Sequence, residues 1–136
     1  MKRFDVYVDG GARGNPGPAG IGTILYDEKK KKVGDFHKYI GVATNNVAEY
    51  YAVIYGLQEA LFLKADEVRL FVDSELVYKQ LKGEYRVKDA NLKPLFELVL
   101  HLIKGLKKVE VKNIPREDNK EADKLVNKAI NLKALL

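Results

Sequence analysis

The chain is 136 residues long, holds no cysteine and carries a formal net charge of +5, from 24 Lys+Arg against 19 Asp+Glu. That length suits a single domain spanning 1–136 with a core of its own, while the lack of thiols excludes disulfide frameworks and thiolate metal centres and points to a reducing, cytoplasmic setting. The short apolar run at the N-terminus is too brief for a signal-peptide core or a membrane span, and the basic excess favours a polyanionic partner.

From Phe4 to Asp9, Phe4, Val6 and Val8 alternate with Asp5, Tyr7 and Asp9, the period of a strand. Gly10, Gly11, Gly14, Asn15, Pro16, Gly17 and Pro18 follow with dense turn chemistry, so Asp9 is expected to end that strand. Residues 20–27 and 33–41 read as a hairpin, with the lysines of 29–32 at a solvated tip. Thr44, Asn45 and Asn46 are N-cap candidates for a helix over 47–63, whose Tyr50, Ile54, Leu57 and Leu61 keep helical spacing. Glu49 falls in its first turn, and Ala52, Val53, Gly56 and Ala60 are small enough to let it lie close against a sheet. Residues 67–73 alternate again and end on Asp73. A short helix from Ser74 to about Leu81, a longer one over 92–106, a strand over 109–114 and a closing helix from about Asn119 past Ile130 complete the chain. Asp123 stands at the edge of the last helix's apolar stripe, and His37 and His101 fall inside a strand and a helix as structural residues.

An antiparallel trio followed by strands reached through helical crossovers predicts an α/β fold, a five-stranded mixed sheet whose first three strands are antiparallel, with helices on both faces. If the strands carrying Asp9 and Asp73 are parallel neighbours, both acids project from carboxyl ends, where open α/β sheets bind ligands. Taken singly, each acid has a plain explanation. Asp9 before Gly10 opens a turn, Glu49 three residues after Asn46 completes a capping box, Asp73 caps the next helix, and Asp123 is a solvated helix residue. Gathered at one point they would repel strongly unless two divalent cations lay between them, the arrangement of a two-metal phosphodiester-cleaving site.

Four motifs occur in order: DGGARGNPGPAG after the first strand, TNNVAEY entering the first long helix, VDSELV at the end of a later strand and NKEADKLVNKA on the closing helix. Together they resemble type 1 ribonuclease H over nearly the whole chain, in the compact form without a basic protrusion. The resemblance implies the ribonuclease H-like fold and an endonuclease that hydrolyses the RNA strand of RNA–DNA hybrids, leaving 5′-phosphate and 3′-hydroxyl ends. It implies two Mg²⁺ ions, with Mn²⁺ able to substitute. Asp9 would bridge both ions, Glu49 and Asp73 would hold the one nearer the leaving oxygen, and Asp123 would hold the one carrying the attacking water. Gly10, Gly11, Asn15, Asn45, Asn46 and Ser74 would contact substrate, and the protein would act as a monomer.

Three departures from the family pattern bear on substrate. Glu75 stands where many members have Gln. The loop before the last helix, Asn113 to Asn119, lacks the His thought to help release product, and Arg116 is the residue that could replace it. The segment Gly83 to Asn91 is short and mixed in charge where some relatives insert a basic helix and loop. Weaker hybrid binding, lost at lower salt, is expected from that loss; tight binding that persists as salt is raised would contradict it. Two rival readings are a non-catalytic nucleic-acid binder of the same fold and a nuclease that also cleaves double-stranded RNA. A proofreading exonuclease fits poorly, because Asp9 is followed by two glycines rather than an Asp-x-Glu pattern. The tail Asn131 to Leu136 carries three leucines that could pack on the domain or on a partner.

Overall fold

The computed structural model describes residues 1–135; Leu136 of the tail lies outside them. Three antiparallel strands come first, β1 (Arg3–Ala12), β2 (Gly17–Tyr26) and β3 (Lys32–Ala43). Then follow α1 (Asn45–Phe62), β4 (Glu67–Val72), α2 (Glu75–Leu81), α3 (Lys93–Ile103), β5 (Lys108–Asn113), a short 3-10 turn at Arg116–Asp118 and α4 (Lys120–Leu135). The sheet order is β3-β2-β1-β4-β5, antiparallel from β3 to β1 and parallel across β1, β4 and β5.

Strand alternation divides the sheet into two faces. Phe4, Val6 and Val8 of β1 and Val68, Leu70 and Val72 of β4 form the buried face that meets α1, with α2 against β4 and β5 and α3 packed on α1. The small-residue stripe on α1 explains the close approach: a Cβ at Gly56 would lie 2.7 Å from Val8 Cγ1. The opposite face carries Asp5, Tyr7 and Asp9, with Arg69, Phe71 and Asp73 alongside. There α4 covers β2 and β3, and a Cβ at Gly22 would lie 2.6 Å from Leu125 Cβ. Burying roughly a dozen fully enclosed large side chains on one face supplies most of the driving force, at about 25 cal/mol per Å² of apolar surface.

Several expected boundaries move. β1 does not end at Asp9; it continues to Ala12, with Gly10 opposite Ile21 and Gly11 opposite Gly20. These two glycines are sheet residues rather than turn residues, and the reversal begins at Arg13, whose N–H donates to Pro18 O at 2.9 Å. Gly10 is glycine because a Cβ there would collide with the carbonyl oxygen of Ala48 in the first turn of α1. Thr44 is the cap of α1, its Oγ1 accepting from Val47 N at 3.2 Å, so Glu49 does not complete a capping box with Asn46. The predicted helix over 92–106 shortens to α3, because Pro94 sits in its first turn and Gly105 follows its end; Leu92 and Leu106 stay buried as flanking residues. The lysine-bearing connection of the hairpin is exposed. Among the described residues no helix is long and apolar enough to cross a membrane.

Candidate active site

The parallel register of β1 and β4 aligns Tyr7 with Phe71. Two residues further on, the same register places Asp9 beside Asp73, the residue just past β4, on the same face. Glu49 reaches them from the first turn of α1, and three carboxylate oxygens, one each from Asp9, Glu49 and Asp73, lie within 4.8 Å of one another. Asp123 stands outside that trio but lines the same cleft from α4, near enough for its charge to act on the Asp9 carboxyl. The four acids come from 114 residues of separation along the chain onto one end of the sheet.

Burial and mutual repulsion dominate the electrostatics of Asp9 and Glu49. Asp9 is 6% exposed, and burial raises its carboxyl to about 7, with Asp73 and Asp123 pushing in the same direction and a hydrogen bond with Glu49 opposing them. Glu49 is held well above the ordinary carboxylate range, first by burial and then by Asp9. Its Oε1 accepts from the Gly10 N–H at 3.4 Å, whereas Oε2 is buried with no partner. A buried carboxylate with one unpaired oxygen, gathered with two further carboxylates, is a donor set for a hard divalent cation, which takes oxygen ligands and relieves the repulsion. The residues fit Mg²⁺ or a similar ion.

The cleft has a volume of about 300 Å³, and its lining includes Gly10, Gly11, Asn45, Asn46, Ser74 and Arg116 together with the four acids. Of the expected substrate-contact residues, Asn15 alone is not part of that lining. Its Oδ1 accepts from Asn45 N at 3.0 Å, and Asn45 Oδ1 accepts in turn from Ala12 N at 2.9 Å, so this pair ties the end of β1 to the start of α1. Ser74 caps α2, accepting from Val77 N at 3.2 Å, while it also faces the cleft. Glu75 is exposed and pairs with Lys79 at 3.3 Å, one turn along its own helix. His37 lies in β3 and His101 in α3, as expected, and neither lines the acidic cleft.

Asn119 is a site residue that the sequence reading used only to mark a helix start. It is 2% exposed, and its Nδ2 donates to Val8 O at 2.9 Å and to Asp73 Oδ2 at 2.8 Å. One amide thereby fixes the entrance of α4 to β1 and orients a site carboxylate. The only sequence signal was an Asn one turn before Asp123, a spacing shared with many helix caps.

Residues 7–129 match the family described as reverse transcriptase-like. A bifunctional protein of Mycobacterium tuberculosis, Rv2228c, is 38% identical over 130 residues, covering 95% of this chain and 36% of that protein. The chain thus spans about a third of the length of these first curated relatives. The crystal structure of ribonuclease H1 from the archaeon Halobacterium salinarum superposes with a TM-score of 0.93 at 38% identity, over 95% of this chain and 98% of that one. LC11 ribonuclease H1, solved in complex with an RNA/DNA hybrid, gives 0.91 at 45% identity over 98% and 99%.

Proposed function

This chain belongs to the type 1 ribonuclease H family, and from that membership and the convergence of its four carboxylates we propose that it is a metal-dependent endoribonuclease acting on RNA–DNA hybrids. The observation that carries the reading is the packing of Asp9, Glu49 and Asp73 oxygens within 4.8 Å of one another at the open end of a mixed sheet, with Asp123 across the same cleft. Asp9, Glu49 and Asp73 would hold one ion, and Asp9 with Asp123 a second. When bound, the ions supply an activated water and neutralise charge on the leaving oxygen. Mg²⁺ suits all-oxygen ligands with open positions, and Mn²⁺ is the expected substitute.

The chain's own residues do the positioning. Asn119 holds Asp73 by a charge-assisted hydrogen bond, so this carboxylate meets an ion in a fixed orientation. Gly11, Asn45 and Asn46 give the cleft a rim where backbone and amide groups meet the wide minor groove of a hybrid and read its 2′-hydroxyls. Arg116, in the lining of the same cleft, attracts the cleaved phosphate in place of a loop His. Products with 5′-phosphate and 3′-hydroxyl ends, a monomeric enzyme and a cytoplasmic setting complete the proposal.

The test is a panel of end-labelled hybrid, duplex RNA, duplex DNA and single strands, each with Mg²⁺ and with EDTA. Metal-dependent cutting of hybrid RNA is expected; an untouched hybrid would overturn the reading. Cutting of duplex RNA as well would establish the wider substrate range. Asn119→Ala is expected to lower kcat by about 10–100-fold and to weaken Mg²⁺ affinity, because it frees Asp73 and strips a partner from Val8 O. Calorimetric titration of Mg²⁺ checks the second effect without turnover.

A further inference from the structure

The connection from β1 to β2 holds an arginine that the acidic cleft does not use. Asp9 and Gly11 share the sheet face that carries α4, and a Cβ at Gly11 would lie 3.6 Å from Val126 Cγ1. Arg13, the next residue in that alternation, stands just past the strand, and its Nη2 donates to Asn127 Oδ1 of α4 at 3.4 Å. Asn127 lies one turn beyond Asp123, and its Nδ2 donates to Asp123 O at 3.2 Å. The two contacts settle the orientation of that amide. Arg13 is thus in line with Asp9 and Gly11, about 13 Å of extended chain beyond Asp9.

The loop presents this side chain from a fixed backbone. Arg13 N donates to Pro18 O at 2.9 Å, and Gly17 packs so closely that a Cβ there would collide with Arg13 O. Asn15 Oδ1 accepts from Asn45 N at 3.0 Å, which ties the same loop to α1. Among the described residues Arg13 has no ion-pair partner, and the acceptor that holds it is neutral. Arg69 makes the contrast, its guanidinium being taken up by both oxygens of Asp5 at 2.6 Å. A guanidinium held by a single amide keeps its charge and most of its N–H donors for another partner. One turn before Asp123, Lys120 lines the acidic cleft with Arg116 and Glu117, a set of net positive charge. Cations therefore flank the acids at both ends of the first two turns of α4. A polyanion crossing the acids meets a cation before and after them.

We infer that Arg13 is a phosphate contact for a bound hybrid, engaging a backbone phosphate outside the metal cleft and holding the duplex in register over the four acids. The inference rests on the ribonuclease reading and adds a positioning residue to it. At its distance from Asp9, Arg13 touches no reacting atom. A guanidinium fork matches two phosphate oxygens, and such a contact sets register without reading base sequence. The fixed loop and the Asn127 tether lower the cost of ordering the side chain when the phosphate arrives.

The experiment measures hybrid binding over a range of salt concentrations at saturating Mg²⁺, in the Asp9→Asn background where cutting is expected to stop. Adding Arg13→Gln should weaken binding about three- to tenfold and lower the slope of log affinity against log salt by about 0.7–0.9, the mark of one lost phosphate contact. Arg13→Lys should retain the slope. Lys104→Gln, which removes an exposed charge from the end of α3 on the other side of the sheet, should leave affinity and slope unchanged. With Asp9 restored, Arg13→Gln should raise KM by a similar factor and keep kcat within about twofold. An unchanged slope in Arg13→Gln, an equal loss in Lys104→Gln, a loss confined to kcat, or a lower Tm with affinity intact would each overturn the inference and leave the ribonuclease reading standing. A wild type that neither binds nor cuts hybrid would overturn both.

Discussion

Asp9→Asn is expected to abolish cleavage, lowering kcat by at least about 10³-fold, while leaving the fold intact. Asp9 is the acid that the others surround: Glu49 and Asp73 share its cluster and Asp123 reaches it from α4. Removing its charge takes a ligand from both prospective ions at once, and a 10³-fold loss corresponds to about 4 kcal/mol of transition-state stabilisation. Asparagine has nearly the same shape, so the packing around β1 is kept. The measurement is single-turnover cleavage of a labelled hybrid at saturating Mg²⁺, with circular dichroism as the check on folding. Residual cutting within tenfold of wild type would remove Asp9 from the chemistry and, with it, the proposed site.

The same substitution should raise the stability of the metal-free protein, and by more as the pH rises. The folded protein holds the Asp9 proton up to about 7, whereas an unfolded aspartate releases it near 4. The contribution to stability is thus fully present below about pH 4 and is lost as pH climbs through about 7, where the folded state must carry buried, mutually repelling charges. Glu49 shifts in the same direction, for the same reason of burial first and Asp9 second. In EDTA, the difference in Tm between Asp9→Asn and wild type is expected to be small at pH 4 and to grow to several degrees by pH 8, a few kcal/mol at most. Saturating Mg²⁺ should stabilise wild type at pH 8 and close much of that gap, since an ion binds only the assembled carboxylates. A gap independent of pH would show that these acids are not strained by proximity in the folded state.

The two expectations share one physical root. Glu49 Oε2 is buried without a partner, and the Glu49 carboxylate is gathered with those of Asp9 and Asp73, so the metal-free site is a local destabilisation held in place by the sheet and α1. A fold tolerates such strain when the binding of a counter-charge relieves it, which links the weak point of the free protein to its activity. Asn119 is part of the same design: it fixes Asp73 from below through its link to Val8 O, so the carboxylates do not swing apart to relax.

Much of this was present in the linear chain. The alternation in Phe4 to Asp9 and in 67–73 placed Asp9 on a strand and Asp73 where one ends, the helical spacing through Tyr50, Ile54 and Leu57 placed Glu49 in a first turn, and four motifs in order carry the family resemblance. Local periodicity reports on a residue's own neighbours, and these elements are fixed by burial of their own apolar faces. Boundaries were less legible. Gly10 and Gly11 looked like turn residues because glycine allows turns, but they belong to β1, since the reason for a glycine at position 10 is the carbonyl of Ala48 in a helix 38 residues later. Thr44 rather than Asn46 caps α1 for a similar reason: the Asn45 side chain and backbone are engaged with Ala12 and Asn15 across the loop.

What the sequence determined by itself is therefore the kind of chemistry and the inventory of acids, because residue type and short-range pattern suffice to specify them. What only the tertiary structure decided is which oxygens meet, which of them is left unpartnered, and that Asn119 joins Val8 O to Asp73. Those facts depend on the parallel register of β1 with β4 and on the angle at which α4 crosses the sheet. Such long-range geometry is set by packing between elements, and no stretch of contiguous residues contains it.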